Sequence, residues 1–492
     1  MTMTAQAIPQ LAERLLPLLQ RARAASFQLA QPVLASLTVE LAAAPNAPLF
    51  LAGRSPYFLW EQPSRHFALT GLGQAARIAG HGPQRFDSAR ADLQRLLGSA
   101  VIDRPGALPS APIALAGSAF DPSQAADAAL RPFDKAQGRQ AQDAALRQAQ
   151  DAAWRAFPDA LVLFPRFLFG RRGADAWLTV NVVVDRRLPA ESVAATLADE
   201  AARALGVEPP LAPPEDARAS IVSPDDRAPW RESVGALTGQ IAAREAEKVV
   251  LARRVDVTAR RPFDVDAVLG RLRRRYADCT LFAVADGEVC FLGATPETLV
   301  SLSQGRVHTD CLAGSAPRGA SPDADDALAA TLLADAKERR EHDLVVGDLH
   351  RALAGLCGDI RLPPAPGVRR TASVQHLHTP IEATTGAATH VLDLVAALHP
   401  TPATAGLPRE RALCLIRRHE GFSRGWYAGP IGWIDARGDG EFAVALRSAL
   451  VHGDAASLYA GCGIVAGSDP DREHDESSLK LEAMLWALGA KA

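Results

Sequence analysis

The stretch Tyr459-Ala-Gly-Cys-Gly-Ile-Val465, followed by Ser468-Asp-Pro-Asp-Arg-Glu-His-Asp-Glu-Ser-Ser-Leu-Lys480, reads as a glycine-rich strand end running into a helix. Asp469 suits the cap, and Pro470 suits the first turn, where its missing N–H would be unpaired anyway. Glu473 and Glu476 then stand three apart, and Glu476 and Lys480 four apart, so all three share one helix face. The macrodipole favours acids at a helix start, which accounts for part of the cluster. It does not account for so many acids converging just after Gly461-Cys-Gly463. A hard cation such as Mg²⁺ does, because it takes one or two carboxylates and completes its octahedron with water and substrate oxygens.

Outward from this corner, composition sets the bounds. The chain has 492 residues, 48% apolar and 22% charged, and carries a net charge of -3. That is ordinary globular usage with no electrostatic reason to expect nucleic acid or an anionic membrane, so a small molecule is the default partner. Cys279, Cys290, Cys311, Cys357, Cys414 and Cys462 form no CxxC pair, which argues against a zinc ribbon or a disulfide framework and for a reducing compartment. Met1 to Gln10 lacks the basic start and apolar run of a signal peptide, and no stretch approaches the ~20 apolar residues that span a bilayer. The expectation is a cytoplasmic protein.

Leu11 to Leu37 suggests helix, and Pro48 to Ala52 a short strand. Gly71-Leu-Gly73 lacks the third glycine of a dinucleotide fingerprint and reads as a turn. Between residues 121 and 155, Arg139-Gln-Ala-Gln-Asp-Ala-Ala-Leu146 recurs almost unchanged as Arg147-Gln-Ala-Gln-Asp-Ala-Ala-Trp154. A period of about eight drifts around a helix rather than building an apolar stripe, so a surface insertion is expected here. Ala160 to Phe164 and Trp177 to Val184 are strand-like, rich in residues that suit a pleated surface. Pro209 to Pro214 resembles a linker and divides the chain softly into residues 1–215 and 216–492, with a helix expected at Glu232 to Ala246. Strands and helices then alternate in uneven blocks, the mark of an α+β fold with large antiparallel sheets.

Several residues in the second part suit chemistry. Lys248-Val-Val-Leu-Ala-Arg-Arg-Val255 is a strand whose alternation puts Lys248 on the face of Val250 and Ala252, as a snorkelling strand-end residue or a desolvated base. Gly293-Ala-Thr-Pro-Glu297 is a turn that holds a carboxyl group beside a rigid proline. Amides at Leu312-Ala-Gly-Ser315 suit an anion. The helix from Ala336 to Val346 carries Glu341, a solvated acid or a metal ligand, and His342, which has no second histidine at zinc spacing. Glu441 to Leu450 reads as one strand, with Phe442, Val444 and Leu446 on the core face and Ala443, Ala445 and Arg447 on the other. Two alanines leading to a planar cation make a depression suited to a carboxylate.

In this order the pieces resemble the chorismate-utilising enzymes, a family of isochorismate, salicylate, anthranilate and aminodeoxychorismate synthases. The resemblance runs from about Glu247 to the C-terminus through Lys248-Val-Val-Leu, Ala294-Thr-Pro-Glu297, Leu312-Ala-Gly-Ser315, Glu341-His342, His399-Pro-Thr401, Arg424-Gly-Trp-Tyr-Ala-Gly-Pro430, Gly461-Cys-Gly-Ile-Val465 and Glu476 to Lys480. The first part is divergent, with Phe164-Pro-Arg-Phe-Leu-Phe169 its most family-like phrase. One departure is Cys311, where the family usually has proline, which puts the local turn in question.

The resemblance implies a single large chorismate-binding α/β sandwich with two facing antiparallel sheets, outer helices and a site between its halves. Members that add water at C2 of chorismate have lysine at the Lys248 position, whereas those that add ammonia typically have glutamine. Ala313 stands where aminodeoxychorismate synthases have a nucleophilic lysine, while Ser315 and Ala403 look like the isochorismate branch. The implied activity is isochorismate synthase, with salicylate synthase or a non-catalytic chorismate-binding relative as alternatives, serving menaquinone or siderophore biosynthesis. Lys248 is the implied base and Glu297 the implied acid. Glu341, Glu476 and Glu473 would hold Mg²⁺, and Gly314, Arg447, Gly461, Lys480, Tyr427 and His376 would bind substrate. With water as nucleophile no amidotransferase subunit is expected, and a monomer is the favoured state.

Overall fold

Along the strand Thr280–Asp286, Phe282 and Val284 enter one buried cluster while Leu281, Ala283 and Ala285 enter another, so the sheet they belong to has a core on each face. The computed structural model describes residues 7–41, 56–104, 111–123, 151–205, 219–223, 226–372 and 374–490. Among these residues are a 13-stranded and a 10-stranded sheet. Every pairing within the two sheets is antiparallel except Val33–Leu41 with Val101–Asp103.

One core lies between the sheets, where Phe58, Trp60 and Phe291 of the larger meet Leu115, Ile431 and Phe442 of the smaller. It continues to the helices Arg85–Gly98, Ala336–Ala354, Val391–Leu398 and Arg409–His419. The second core covers the outer face of the larger sheet with Ala7–Leu29, Ala190–Leu205, Val265–Arg275 and Pro470–Ala487. Leu11, Leu15, Leu18, Leu19 and Ala22 of the first of these helices are buried at helical spacing. This is the expected α+β sandwich. Strands from before and after residue 215 share both sheets, Tyr57–Gln62 pairing with Thr280–Asp286 and Ile113–Ser118 with Pro430–Asp435.

Three sequence expectations need correction. Leu11 to Leu37 is not one helix: it stops at Leu29, and after Pro32, which cannot continue a helix, Val33–Leu41 is a strand. Glu441 to Leu450 is not one strand either. Gly440–Val444 belongs to the smaller sheet and Ser448–His452 to the larger, so the chain changes sheets through Ala445–Arg447, with Arg447 left-handed at φ 49°. Ala443 and Ala445 are therefore as buried as Phe442 and Val444. The repeat of the insertion, up to residue 150, lies outside the described residues, as do the strand at Pro48 to Ala52 and the linker at Pro209 to Pro214. The insertion's last residues are described, however, and Trp154 is not on the surface: it is 7% exposed and packs on Phe157, Phe291 and Tyr459.

Candidate active site

The strand Lys248–Thr258 lies beside Ala455–Ile464, with Val250 opposite Gly463 and Ala252 opposite Gly461. The glycines are required by what crosses them. A Cβ on Gly463 would collide with the Glu341 carboxylate and come within 2.8 Å of Lys248 Cε. Across this gap the Lys248 side chain, 1% exposed, brings Nζ to 2.9 Å from Glu341 Oε1. Glu341 reaches it from Ala336–Ala354, a helix capped by Asp335 and packed on the strand Arg306–Pro317. The solvated reading of Glu341 is thereby excluded, since the residue is buried and ion-paired.

Glu297 lies beyond the Thr295-Pro296 turn, where its amide donates to Thr295 Oγ1 at 3.2 Å and its carbonyl accepts from the Val444 amide at 3.0 Å. Burial pushes its carboxyl up to about 8; Lys248 pulls down, Asp310 pushes up, and Arg447 and Lys480 pull down. At neutral pH it is a protonated donor.

Val250, Glu297, Ala313, Gly314, Ser315 and Glu341 line one cavity of about 70 Å³ together with His376, Tyr427, Arg447, Gly461, Glu476 and Lys480. The residues picked from sequence thus converge, with two exceptions. Lys248 stands behind Gly463 and enters through its contact with Glu341. Glu473 is 2% exposed and is held by Lys337 at 2.9 Å, one helical turn back from the cavity wall. A wider groove of about 810 Å³ opens on the outer side of Ala336–Ala354, beside Arg339, Arg340 and Arg409, and holds none of these residues. The narrow cavity, where acid, cations and glycines converge, is the candidate for the chemical site.

Gly314 adopts φ 81°, and the pairing of Arg306–Pro317 with Val374–Thr384 shifts register between Leu312 and Ser315. The bulge turns this segment into the cavity, but the Ser315 amide, expected to bind an anion, donates to Glu338 Oε2 at 3.1 Å. His342 braces the bulge through Ala313 O at 3.1 Å and Thr379 Oγ1 at 2.8 Å. Cys311, the departure from the family pattern, keeps regular pairing opposite Thr379. On the far wall Tyr427 stacks on Tyr459 at 5.2 Å and 19°. Arg447 has no carboxylate partner among the described residues, while Ser315 Oγ and His376 Nδ1 are 3.0 Å apart. Lys480 bonds Glu476 at 2.6 Å and Gly461 O at 3.0 Å.

Sequence reading missed Glu338 and Arg424. Glu338 is three residues before Glu341, so helical spacing alone places it on the same face. Its carboxyl is pushed up to about 7 by burial and then by Glu341, with Lys337 pulling down and Glu476 pushing up. Arg424, 1% exposed, lines the cavity and is paired with Glu420 at 2.5 Å.

Mg²⁺ suits this donor set. Glu338, Glu341, Glu473 and Glu476 bring carboxylates from two helices close enough to interact, the oxygen chemistry a hard cation takes, and burial followed by the neighbouring Glu476 raises the Glu473 carboxyl. No three His, Cys, Asp or Glu residues among those described are grouped so as to hold a metal ion by themselves.

A family model described as chorismate binding enzyme matches residues 19–139 and 143–489. The chain belongs to that family. It is 36% identical to the salicylate biosynthesis isochorismate synthase of Pseudomonas aeruginosa over 96% of this chain and 93% of the relative. It is 38% identical to isochorismate synthase MenF of Bacillus subtilis over 68% of this chain and 71% of the relative. The solved structure of MenF, the menaquinone-specific isochorismate synthase from Escherichia coli, superposes with a TM-score of 0.74 at 28% identity, covering 96% of this chain and 99% of that one.

Proposed function

We propose that the protein is an isochorismate synthase, converting chorismate to isochorismate by adding water at C2 and releasing the C4 hydroxyl. One observation carries this reading: a buried, protonated Glu297 lines the same cavity as Glu341, and Lys248 stands behind Gly463 in contact with that Glu341, with Ala313 where a nucleophilic lysine would stand. Water is a weak nucleophile and hydroxide a poor leaving group, so the reaction needs a base and an acid flanking the ring. In its neutral amine form Lys248 takes a proton from the attacking water as oxygen bonds to C2, becoming the ammonium that pairs with Glu341. Glu297 gives its proton to the C4 oxygen, which leaves as water while the ring double bond shifts. Arg447, which has no carboxylate partner among the described residues, receives a substrate carboxylate. Tyr427, His376, Lys480 and the backbone at Gly314 and Gly461 shape the rest of the pocket.

Glu341 and Glu476 would hold Mg²⁺ directly, with Glu473 and Glu338 behind them. Bound there, the ion would supply the charge that fixes the ring carboxylate and offsets its repulsion from the glutamates. Because water is the nucleophile, the reaction calls for no amidotransferase subunit, and the working form is a cytoplasmic monomer. No described helix is long and apolar enough to cross a membrane. The test is to incubate purified protein with chorismate and Mg²⁺ and separate the products. Isochorismate is expected; salicylate formed without a second enzyme would point to the pyruvate-eliminating alternative, and anthranilate formed with ammonia would sink the proposal.

A further inference from the structure

The strand Lys248–Thr258 is paired along one edge with Ala455–Ile464, but among the described residues its other edge has strand neighbours only at its ends. Gly406–Leu407 covers Lys248 and Val249, and Ser220–Ile221 covers Val257 and Thr258. The Val250 amide still donates to Ala405 O at 2.8 Å, and beyond it Thr404 and Ala403 belong to the cavity wall. Two side chains stand in the gap. Arg424 Nη2 donates to Val250 O at 2.8 Å, and Glu420 Oε1 accepts from the Ala252 amide at 2.7 Å. They also hold each other, with Arg424 Nε donating to Glu420 Oε2 at 2.9 Å and Nη2 to Oε1 at 2.5 Å. The remaining arm, Nη1, donates to Thr404 O at 2.8 Å. Both residues are buried, and the guanidinium lies 4.2 Å over the Phe120 ring. The proposed reaction uses neither of them.

We propose that Glu420 and Arg424 are positioning residues for the base of the reaction: they take the place of the missing strand neighbour and clamp Thr404–Leu407 to Lys248–Ala252, fixing the backbone from which Lys248 reaches Glu341. A buried ion pair is a weak source of stability, because desolvating both charges offsets their attraction, so its placement here calls for another role. What the pair supplies is geometry. One planar fork spans Val250 O, Thr404 O and Glu420, and without it two buried carbonyls and the Ala252 amide would lose partners. The ladder it closes starts at the base itself, since the Glu247 amide donates to Leu407 O at 2.8 Å and Leu407 stands opposite Lys248. Lys248 is therefore held between that pairing and the clamp two residues further on. All three guanidinium nitrogens of Arg424 are engaged within the protein, which separates it from Arg447, the cation left for a substrate carboxylate.

The inference rests on Lys248 being the base, and two readouts separate the claims. One is steady-state kinetics with chorismate and Mg²⁺, expressed per folded molecule from circular dichroism. The other is amide hydrogen exchange of the segment Lys248 to Val255 in substrate-free protein, followed by mass spectrometry. Arg424→Lys keeps the charge and loses the fork, so exchange in this segment should quicken. Its kcat should fall about 100-fold, the loss that a displacement near 1 Å brings, while KM stays unchanged. Glu420→Gln keeps the reach of the side chain and should show a smaller loss, again in kcat. A role in folding alone would lower the melting temperature and leave kcat per folded molecule in place, and a direct substrate contact would raise KM instead; either result overturns the proposal. Full turnover in Lys248→Ala would remove Lys248 as base and leave the clamp supported by the exchange and by the kcat of Arg424→Lys. If Arg424→Lys does not fold, Glu420→Gln decides alone: an unchanged kcat per folded molecule overturns the proposal.

Discussion

Lys248 Nζ and Glu341 Oε1 lie 2.9 Å apart, joined from a strand and a helix across the space left by the missing side chain of Gly463. Proposed base and proposed metal ligand are thus one unit. Gly463→Ala tests whether that unit matters. Its Cβ would displace the Glu341 carboxylate and the Lys248 stem, and overpacking of this kind costs about 1–3 kcal/mol of stability. Turnover should fall further, by roughly 100-fold, because a displacement near 1 Å is enough to misalign reacting groups. Gly235→Ala, in the helix Arg227–Ala242 with open space around it, is the control and should leave turnover unchanged while raising stability by about 0.5–1 kcal/mol.

The pH profile should report Glu297. Its carboxyl, pushed up to about 8 by burial, carries a proton below that pH and loses it above, so kcat should decline as pH rises through about 8. Glu297→Gln keeps the shape but cannot donate a proton to the leaving oxygen. Its turnover should drop about 10²–10⁴-fold, and the remaining rate should lack the alkaline decline. A variant with near-normal kcat and the decline intact would assign the acid elsewhere.

Much of this site was legible before the fold was known, and the reason is local. Glu476 and Lys480 lie on one helix turn, and the cap at Asp469 and Pro470 fixes where that turn begins, so spacing alone brought them together. Glu338 could have been read the same way from Glu341. Arg447 was placed on the right wall for an incomplete reason: alternation assumed one continuous strand, whereas the residue sits at a left-handed crossing between two sheets. Nothing in a run of β-favouring residues marks such a crossing. The role of Arg424 was illegible because it depends on backbone groups of Val250 and Thr404, which only the fold brings to its side chain. Trp154 was hidden by its surroundings, the last residue of a repeat whose composition suggests solvent.

The proposed Mg²⁺ site, where Glu338, Glu341, Glu473 and Glu476 crowd, makes a metal dependence that can be tested. Treatment with a chelator should abolish turnover and added Mg²⁺ should restore it. Glu341→Gln and Glu476→Gln should each weaken Mg²⁺ binding by at least about tenfold, measured by calorimetry on the substrate-free protein. Lys248→Ala should abolish turnover and still bind the ion. Full activity in thoroughly chelated protein would exclude the metal from the reaction.

The insertion divides into a part that should be dispensable and an end that should not. Trp154 donates its indole N–H to Tyr459 Oη at 3.2 Å, and Tyr459 stacks on Tyr427 in the cavity wall. Just before it, Asp151 pairs with Arg254 at 2.7 Å, which pins the segment to the strand Lys248–Thr258. A Cβ on Gly425 would strike the Trp154 ring, so the loop beneath is shaped to receive it. Removing residues 124–149 while keeping Asp151 to Arg155 should therefore leave turnover near normal. Trp154→Ala should cost about 3–5 kcal/mol in denaturant unfolding, because a large buried aromatic leaves a cavity that packed neighbours cannot close. It should also raise KM for chorismate more than it lowers kcat, since Tyr427 loses its backing while Lys248 and Glu297 keep theirs. Trp154→Phe retains most of the volume and lacks only the N–H donor, so it should recover most of the stability; equal damage in both variants would shift the weight from packing to the hydrogen bond with Tyr459.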